Sequence, residues 1–172
     1  MNYAEIKKCD ISNGPGIRVS LFVSGCDHHC KNCFNPETWD YNYGQPFTNK
    51  TVMEIIALLK PDNVSGLTLL GGDPLMSNNI KDVADLCCIV KTLYPKKTIW
   101  CFTGYTWEYL MVYKKKNDYL NELLKYVDVI VDGPYIEEQK DLMLKFRGSK
   151  NQRIIDVQKA IREINEIFTI ND

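Results

Sequence analysis

Three cysteines constrain this chain more than any other feature, because they stand on one short loop directly behind an apolar run. The apolar run covers residues 17–23, and the loop 26–33 carries the cysteines at the spacing C-x3-C-x2-C. Three thiolates on one short loop can wrap a single inorganic centre, and thiolates are the usual protein ligands of iron–sulfur clusters. In a centre with four irons, Cys26, Cys30 and Cys33 would leave one iron free to bind a substrate.

Two other kinds of site and one processing signal fit parts of the same stretch. A zinc site takes four ligands, and His28 or His29 would supply the fourth. Adjacent histidines inside a tight loop, however, lack the second spaced pair of ligands that most zinc motifs have. A disulfide is disfavoured by the metal-like spacing and by the odd total of seven cysteines. Residues 23–26 resemble a lipoprotein signal, but the preceding apolar run is short and contains Arg18.

Length and composition describe an ordinary globular chain. Its 172 residues predict a single domain over residues 1–172, with 45% hydrophobic residues for a core. The formal net charge of −1 gives no electrostatic argument for nucleic acid or an acidic membrane as a partner. The sequence has no apolar run of transmembrane length and no apolar targeting core in residues 1–10, so we expect a cytoplasmic protein. Cysteines without a signal sequence favour reduced thiols and metal over disulfides.

Strand-like and helix-like segments alternate along the chain. Residues 9–16 are dense in turn formers and predict a loop before the first strand. Alternation of this kind predicts an α/β fold with a parallel sheet and crossover helices. Eight β/α units need a longer chain, so we expect an incomplete (β/α) barrel, an open curved sheet with the site at its C-terminal edge. The predicted strands are 17–23, 66–70, 98–102, 129–131 and 154–157, and the predicted helices are 50–59, 79–94, 107–113, 118–127 and 157–168.

Further candidate site residues directly follow the later strands. Gly71, Gly72 and Asp73 come after the second strand, where two glycines permit a close backbone approach to a ligand. The same residues with the following proline also make a plain turn. Thr103 and Asp132 follow the third and fourth strands, so all five are expected at the edge that carries the cysteine loop.

Four other features allow two interpretations each. Arg147, in the donor-rich segment 146–153, either binds a ligand carboxylate or belongs to a polar turn. Arg18 in the first strand is either a solvated or ion-paired residue or part of the site, and the first is favoured. The basic run 114–116 is typical of a solvated loop, with partner docking as the alternative. Cys87 is either a small buried hydrophobic residue or part of a redox pair with Cys88, and the first is favoured.

The cysteine spacing resembles the signature of the radical S-adenosylmethionine (radical SAM) enzymes. Residues 71–73 resemble the glycine-rich motif with which these enzymes hold the amino group of the methionine moiety, with Asp73 where many members carry glutamate. Asn32 stands where an aromatic residue often precedes the third cysteine, so Phe34 is expected to supply an aromatic surface. Almost the whole chain resembles the activating proteins of anaerobic ribonucleoside-triphosphate reductase, through segments 13–18, 26–39, 71–74, 103–105, 127–135 and 146–157.

This resemblance implies a cofactor set and a reaction. Cys26, Cys30 and Cys33 would bind three irons of a [4Fe–4S] cluster, and the free iron would bind S-adenosylmethionine (SAM). Reductive cleavage of SAM would give methionine and a 5′-deoxyadenosyl radical, which takes a hydrogen from a glycine of the reductase. The cofactors carry the hard chemistry, so no catalytic side chain is expected beyond the cluster ligands. The implied SAM contacts are Asn32, Cys33, Phe34, Gly71, Gly72, Asp73, Thr103, Asp132 and Arg147.

The implied partners are the large catalytic subunit of that reductase and an electron donor such as flavodoxin or ferredoxin. Two alternatives remain at this stage. One is a different radical SAM enzyme, either an activase of another glycyl-radical enzyme or an enzyme that acts on a small molecule. The other is a non-catalytic metal or electron-transfer module.

Overall fold

The computed structural model describes residues 1–169 of the chain. Within these residues the chain forms one seven-stranded sheet in the order β3-β1-β2-β4-β5-β6-β7. The strands are β1 (Asn2–Asp10), β2 (Ile17–Val23), β3 (Gln45–Pro46), β4 (Val64–Gly71), β5 (Thr98–Phe102), β6 (Val129–Asp132) and β7 (Arg153–Asp156). The α-helices are α1 (Asn49–Leu59), α2 (Ile80–Leu93), α3 (Trp107–Tyr113), α4 (Asp118–Leu123) and α5 (Val157–Thr169).

The centre of the sheet is parallel and its edges are antiparallel. Strands β2, β4, β5 and β6 pair in parallel, whereas β1 and β3 on one side and β7 on the other pair antiparallel. The predicted α/β fold with a parallel sheet and flanking helices is confirmed, and the sheet is not closed. In residues 1–169 none of the helices has the length and apolar character needed to cross a bilayer.

The two edges of the sheet differ from the prediction. Strand β1 was not predicted, and its last two residues were assigned to a loop. Four of its nine residues are charged and several of its side chains are exposed, so it lacks the apolar run of a strand buried on both faces. The short strand before α5 was predicted correctly, but β7 pairs antiparallel with β6, which no crossover helix separates from it.

The main core lies between the sheet and the helices. Alternate residues of the parallel strands, such as Leu21 of β2 and Leu69 of β4, are completely buried against α1 and α2. Cys87 of α2 and Cys101 of β5 belong to this cluster, which confirms the prediction for Cys87. The opposite face of the same strands is free of these helices, and it forms the floor of the site described below.

Arg18 is buried on that opposite face. Its Nε donates to the Thr68 hydroxyl at 2.7 Å, and its Nη2 donates to the carbonyl oxygens of Leu67 at 2.8 Å and Thr98 at 2.9 Å. Burial lowers the pKa of the guanidinium to about 10, so it stays charged at neutral pH. The favoured prediction of a solvated or ion-paired Arg18 is therefore wrong, since the side chain is buried and forms no salt bridge within residues 1–169. Its planar guanidinium joins β2, β4 and β5 below the site.

We expect Arg18→Lys to destabilise the protein although it keeps the charge. The lysine ammonium sits on a flexible chain and cannot reproduce the planar guanidinium, whose nitrogens reach three strands. The buried oxygen atoms that accept from Arg18 therefore lose hydrogen-bond donors. The expected loss of unfolding free energy is about 2–3 kcal/mol, measured by urea denaturation. The matched control is Arg162→Lys at an exposed position of α5. Equal unfolding midpoints for the two variants would contradict this account of Arg18.

Candidate functional site

A cavity of about 450 Å³ opens at the C-terminal edge of the parallel strands. This volume lies in the range of small-molecule sites. Its walls come from the loops that follow β2, β4, β5 and β6, and its floor comes from the face of the sheet opposite the main core. Of the predicted site residues it brings together Cys26, Cys30, Cys33, Phe34, Gly71, Gly72, Asp73, Thr103 and Arg147.

The three cysteines are free and half-buried on a tightly wound loop. His29 and Asn32 have positive φ angles of 46° and 56°, which let the chain turn twice within eight residues. The Cys33 amide donates to the Cys30 carbonyl oxygen at 3.1 Å, and the Asn35 amide donates to the Cys33 Sγ at 3.5 Å. Hydrogen bonds to cluster sulfurs are one of the means by which proteins tune such centres.

Burial disfavours the charged form of two of the three thiols. Burial raises the pKa of the Cys26 thiol to about 12, and burial also raises the pKa of Cys30. Thiols with raised pKa values are protonated at neutral pH and are poor nucleophiles. A metal deprotonates its thiol ligands outright, so metal binding here would release protons from these two thiols.

A single-ion site is not formed here. Among residues 1–169 no group of three or more His, Cys, Asp or Glu side chains is arranged to hold one metal ion. A zinc site needs its ligands to converge on one point, whereas each cysteine of an iron–sulfur cluster binds a different iron.

Asp73 is buried at the junction of three loops. Its Oδ2 accepts hydrogen bonds from His28 Nε2 at 2.8 Å, from the Thr103 hydroxyl at 2.9 Å and from the Gly104 amide at 2.9 Å. Its Oδ1 accepts a fourth from the Leu75 amide at 2.8 Å. A carboxylate has about four acceptor positions, so Asp73 and the Thr103 hydroxyl are both engaged within the protein. Asp73 joins the cysteine loop to the ends of β4 and β5.

The two glycines before Asp73 allow these loops to meet. Gly71 has a φ of +105°, and a Cβ built on it would lie 2.7 Å from the Val23 carbonyl oxygen. A Cβ on Gly72 would lie 2.6 Å from the Gly25 carbonyl oxygen. The Gly72 amide donates to the Val23 carbonyl oxygen at 2.7 Å, so the end of β4 contacts the chain where the cysteine loop begins.

The structure does not bring Asp132 or Asn32 into the cavity lining. Asp132 is buried, where it accepts a hydrogen bond from the Trp107 amide at 2.7 Å and pairs with Arg153. A ligand-facing role of the Asp132 carboxylate stays a prediction. The Trp107 amide at the start of α3 and the Arg153 guanidinium together engage both oxygens of the Asp132 carboxylate. Asn32 is exposed on the outside of the loop.

The remaining predicted residues lie on the cavity wall. Arg147 donates from Nη1 to the Gln152 carbonyl oxygen at 2.8 Å, which leaves other donors of its fork uncommitted. Phe34 is largely exposed at the mouth and packs against Tyr135, with the ring centroids 5.1 Å apart. The cavity therefore offers a cation on one wall and aromatic rings at its entrance.

Two organising residues were not identified from the sequence. Asn79 is buried and donates from Nδ2 to the carbonyl oxygens of Ser24 at 3.0 Å and Asp73 at 2.9 Å. Phe146, with a φ of 58°, packs edge-on against Trp100 at the floor of the cavity. The position of Asn79 at a predicted helix start was its only signal, and Phe146 had none.

Comparison with known proteins identifies the family. Residues 12–155 match the family described as "4Fe-4S single cluster domain". The chain is 46% identical over 156 residues to the anaerobic ribonucleoside-triphosphate reductase-activating protein of Enterobacteria phage T4, an alignment that covers 90% of this chain and 93% of the relative. It is 46% identical to the protein of the same name from Vibrio cholerae serotype O1, covering 90% and 97%.

The protein of the same name from Escherichia coli K12 is 40% identical over 158 residues, which cover 88% of this chain and 96% of the relative. Both the family match and the cysteines of the cavity indicate an iron–sulfur cluster. The chain therefore belongs to the 4Fe-4S single cluster domain family and, within it, to the anaerobic ribonucleoside-triphosphate reductase-activating proteins.

Proposed function

We propose that this chain activates an anaerobic ribonucleoside-triphosphate reductase by generating a glycyl radical on its large catalytic subunit. The observation that carries the proposal is a single cavity lined by three half-buried cysteines, two glycines and an arginine, in a chain of this family. We interpret the open sheet as an incomplete barrel of the radical SAM type and the chain as one such domain. The reaction belongs in the cytoplasm, where thiols stay reduced.

Cys26, Cys30 and Cys33 are the proposed ligands of a [4Fe–4S] cluster with one iron left open to SAM. When bound and reduced, the cluster would supply one electron to break the S–C5′ bond of SAM, giving methionine and the 5′-deoxyadenosyl radical that takes a glycine hydrogen. The donor set fits, because sulfur is the preferred ligand of iron in clusters. The amide of Asn35 supports the Cys33 sulfur.

The chain's own contribution is to bind, orient and exclude water. The backbone of Gly71 and Gly72 lies on the cavity wall and is the proposed contact for the amino group of the methionine moiety. Arg147 is the proposed partner of its carboxylate, since an arginine fork binds carboxylates in two parallel hydrogen bonds. Phe34 at the mouth offers a ring surface. Apolar floor residues such as Leu70 and Phe102 keep water from a reactive radical.

The cavity suits a macromolecular substrate because its rim is apolar and open. Leu142 and Met143 are 86% and 87% exposed beside Leu144, which lines the cavity. Exposed apolar side chains of this size at the edge of a site are typical of a protein interface. A segment of the reductase subunit that carries the glycine would cross this rim to reach the cluster.

The test is an anaerobic incubation of the reconstituted protein with dithionite, SAM and the reductase subunit. We expect 5′-deoxyadenosine together with a glycyl radical in the electron paramagnetic resonance spectrum. A reductase variant with alanine at the radical-bearing glycine is the control and should give no radical. SAM cleavage without a radical on the wild-type subunit would point to a different glycyl-radical enzyme. An intact cluster without SAM cleavage would leave only an electron-transfer role.

A further inference from the structure

A row of packed aromatic rings leads from the cysteine loop to the surface. It begins at His28, whose ring centroid lies 4.6 Å from that of Tyr105. The Tyr105 and Tyr109 rings stack at 4.8 Å with an angle of only 8° between their planes. Tyr109 and Tyr113 stack at 5.5 Å. Four rings in succession therefore connect the loop that carries the cysteines with the far end of α3.

The spacing of the tyrosines explains the row. Tyr105, Tyr109 and Tyr113 are four residues apart on α3 and the turn before it, so their side chains stack along one helical face. His28 lines the cavity, whereas the three tyrosines lie outside its lining. The row therefore runs from the cavity lining at His28 to the protein surface at Tyr109.

The outer end of the row is apolar and basic. Tyr109 is 46% exposed and Val112 is 67% exposed, and a short helical turn over Lys114–Lys116 follows Tyr113 directly. We call Tyr109, Val112, Tyr113 and Lys114–Lys116 the α3 patch. Within residues 1–169 none of these lysines forms a salt bridge.

Neighbouring carboxylates do not cancel this charge completely. Glu108 is held by Arg153, and Glu122 is held by Lys125. Asp118, at the start of α4, is the remaining acid on the adjoining segment. A local excess of lysines stands out in a chain whose formal net charge is −1. A surface with this charge and an apolar centre suits an acidic protein partner.

We propose that the α3 patch docks an acidic one-electron carrier protein, which reduces the cluster through the aromatic row. The inference rests on the proposed function, because that function requires one electron for each SAM cleaved. The carrier would lose one electron and a bound, oxidised cluster would gain it, with no bond formed or broken. The rings are not themselves reduced. Their packed π systems fill the space between the docked carrier and the cluster, so that the electron crosses less empty space.

Binding tests the docking surface. The probe is an acidic flavodoxin, titrated into the cluster-loaded protein at low salt in a calorimeter. We expect the Lys114→Glu, Lys115→Glu, Lys116→Glu triple variant to bind about tenfold more weakly and with a flatter salt dependence. The matched control reverses three exposed lysines elsewhere, Lys50, Lys60 and Lys96. Equal affinities for the two triple variants would overturn the docking proposal.

Electron transfer tests the row. Tyr109→Leu removes one exposed ring without altering charge, and Tyr109→Phe keeps the ring. Reduced flavodoxin should bleach the cluster several times more slowly in Tyr109→Leu than in Tyr109→Phe, with unchanged flavodoxin affinity. Equal bleaching rates would overturn the role of the row.

Dithionite separates this inference from the proposed function. The small reductant does not need the α3 patch, so all four variants should cleave SAM with dithionite as fast as the wild type. Failure of SAM cleavage in every protein, wild type included, would refute the proposed function. A variant that binds flavodoxin normally but loses dithionite-driven cleavage would show a damaged site and overturn the assignment of the patch to docking.

Discussion

Cys30→Ala is expected to abolish SAM cleavage while the protein stays folded. Cys30 is half-buried on a surface loop, so losing its sulfur removes little core packing. It removes one of the three proposed cluster ligands, and the two that remain cannot hold a four-iron centre. Iron and sulfide should fall to background, and 5′-deoxyadenosine should not form. Chemical analysis of reconstituted protein and chromatography of the reaction products measure both.

The matched control for this prediction is Cys9→Ala. Cys9 is an exposed cysteine on β1 and lies outside the cavity, so its variant should keep full iron content and activity. Cys26→Ala and Cys33→Ala should behave like Cys30→Ala. Retained SAM cleavage in the Cys30→Ala protein would refute the assignment of the cluster ligands.

Asp73→Ala is expected to damage both stability and activity. The change leaves donors from His28, Thr103 and Leu75 without their acceptor in a buried place. Unpaired buried groups cost free energy, and we expect a loss of about 2–4 kcal/mol in the unfolding free energy. Because the same hydrogen bonds hold the cysteine loop against β4, SAM cleavage should fall as well. Urea unfolding and product analysis measure the two effects.

Two further variants make the prediction for Asp73 decisive. Asp85→Ala removes an exposed carboxylate paired with Lys81 on the helix surface, and should change stability by less than about 0.5 kcal/mol. Asp73→Asn keeps the shape but replaces one acceptor oxygen by a donor, so it should fold better than Asp73→Ala and still impair the site. Full activity in a folded Asp73→Ala protein would contradict the role assigned to this carboxylate.

The parallel centre of the fold was predictable because its signal is local. Strands buried on both faces are continuous apolar runs, and the segments 17–23 and 98–102 were placed at their observed bounds. Strand β1 escaped prediction for the opposite reason. Its charged residues Glu5, Lys7 and Lys8 are exposed, and pairing with β2 and β3 makes the segment a strand. The antiparallel direction of β7 likewise depends on which strand it meets.

The site was predictable where position alone matters and not where hydrogen-bond partners matter. The cysteine loop and Gly71 follow strands whose ends share one edge, so their convergence follows from the topology. Asp132 also lies at that edge, at the end of β6, where the start of α3 and Arg153 engage its carboxylate. The sequence shows which residues lie at a strand end, but it does not show which hydrogen-bond donors the folded chain places beside them.

One measurement tests the central claim most directly. The reductase subunit is produced with deuterated glycine and incubated anaerobically with this protein, SAM and dithionite. The deuterium content of the 5′-deoxyadenosine is then measured by mass spectrometry. The account predicts deuterium in the 5′-deoxyadenosine and a glycyl radical on the reductase. 5′-Deoxyadenosine without deuterium, formed beside a reductase without a radical, would contradict it.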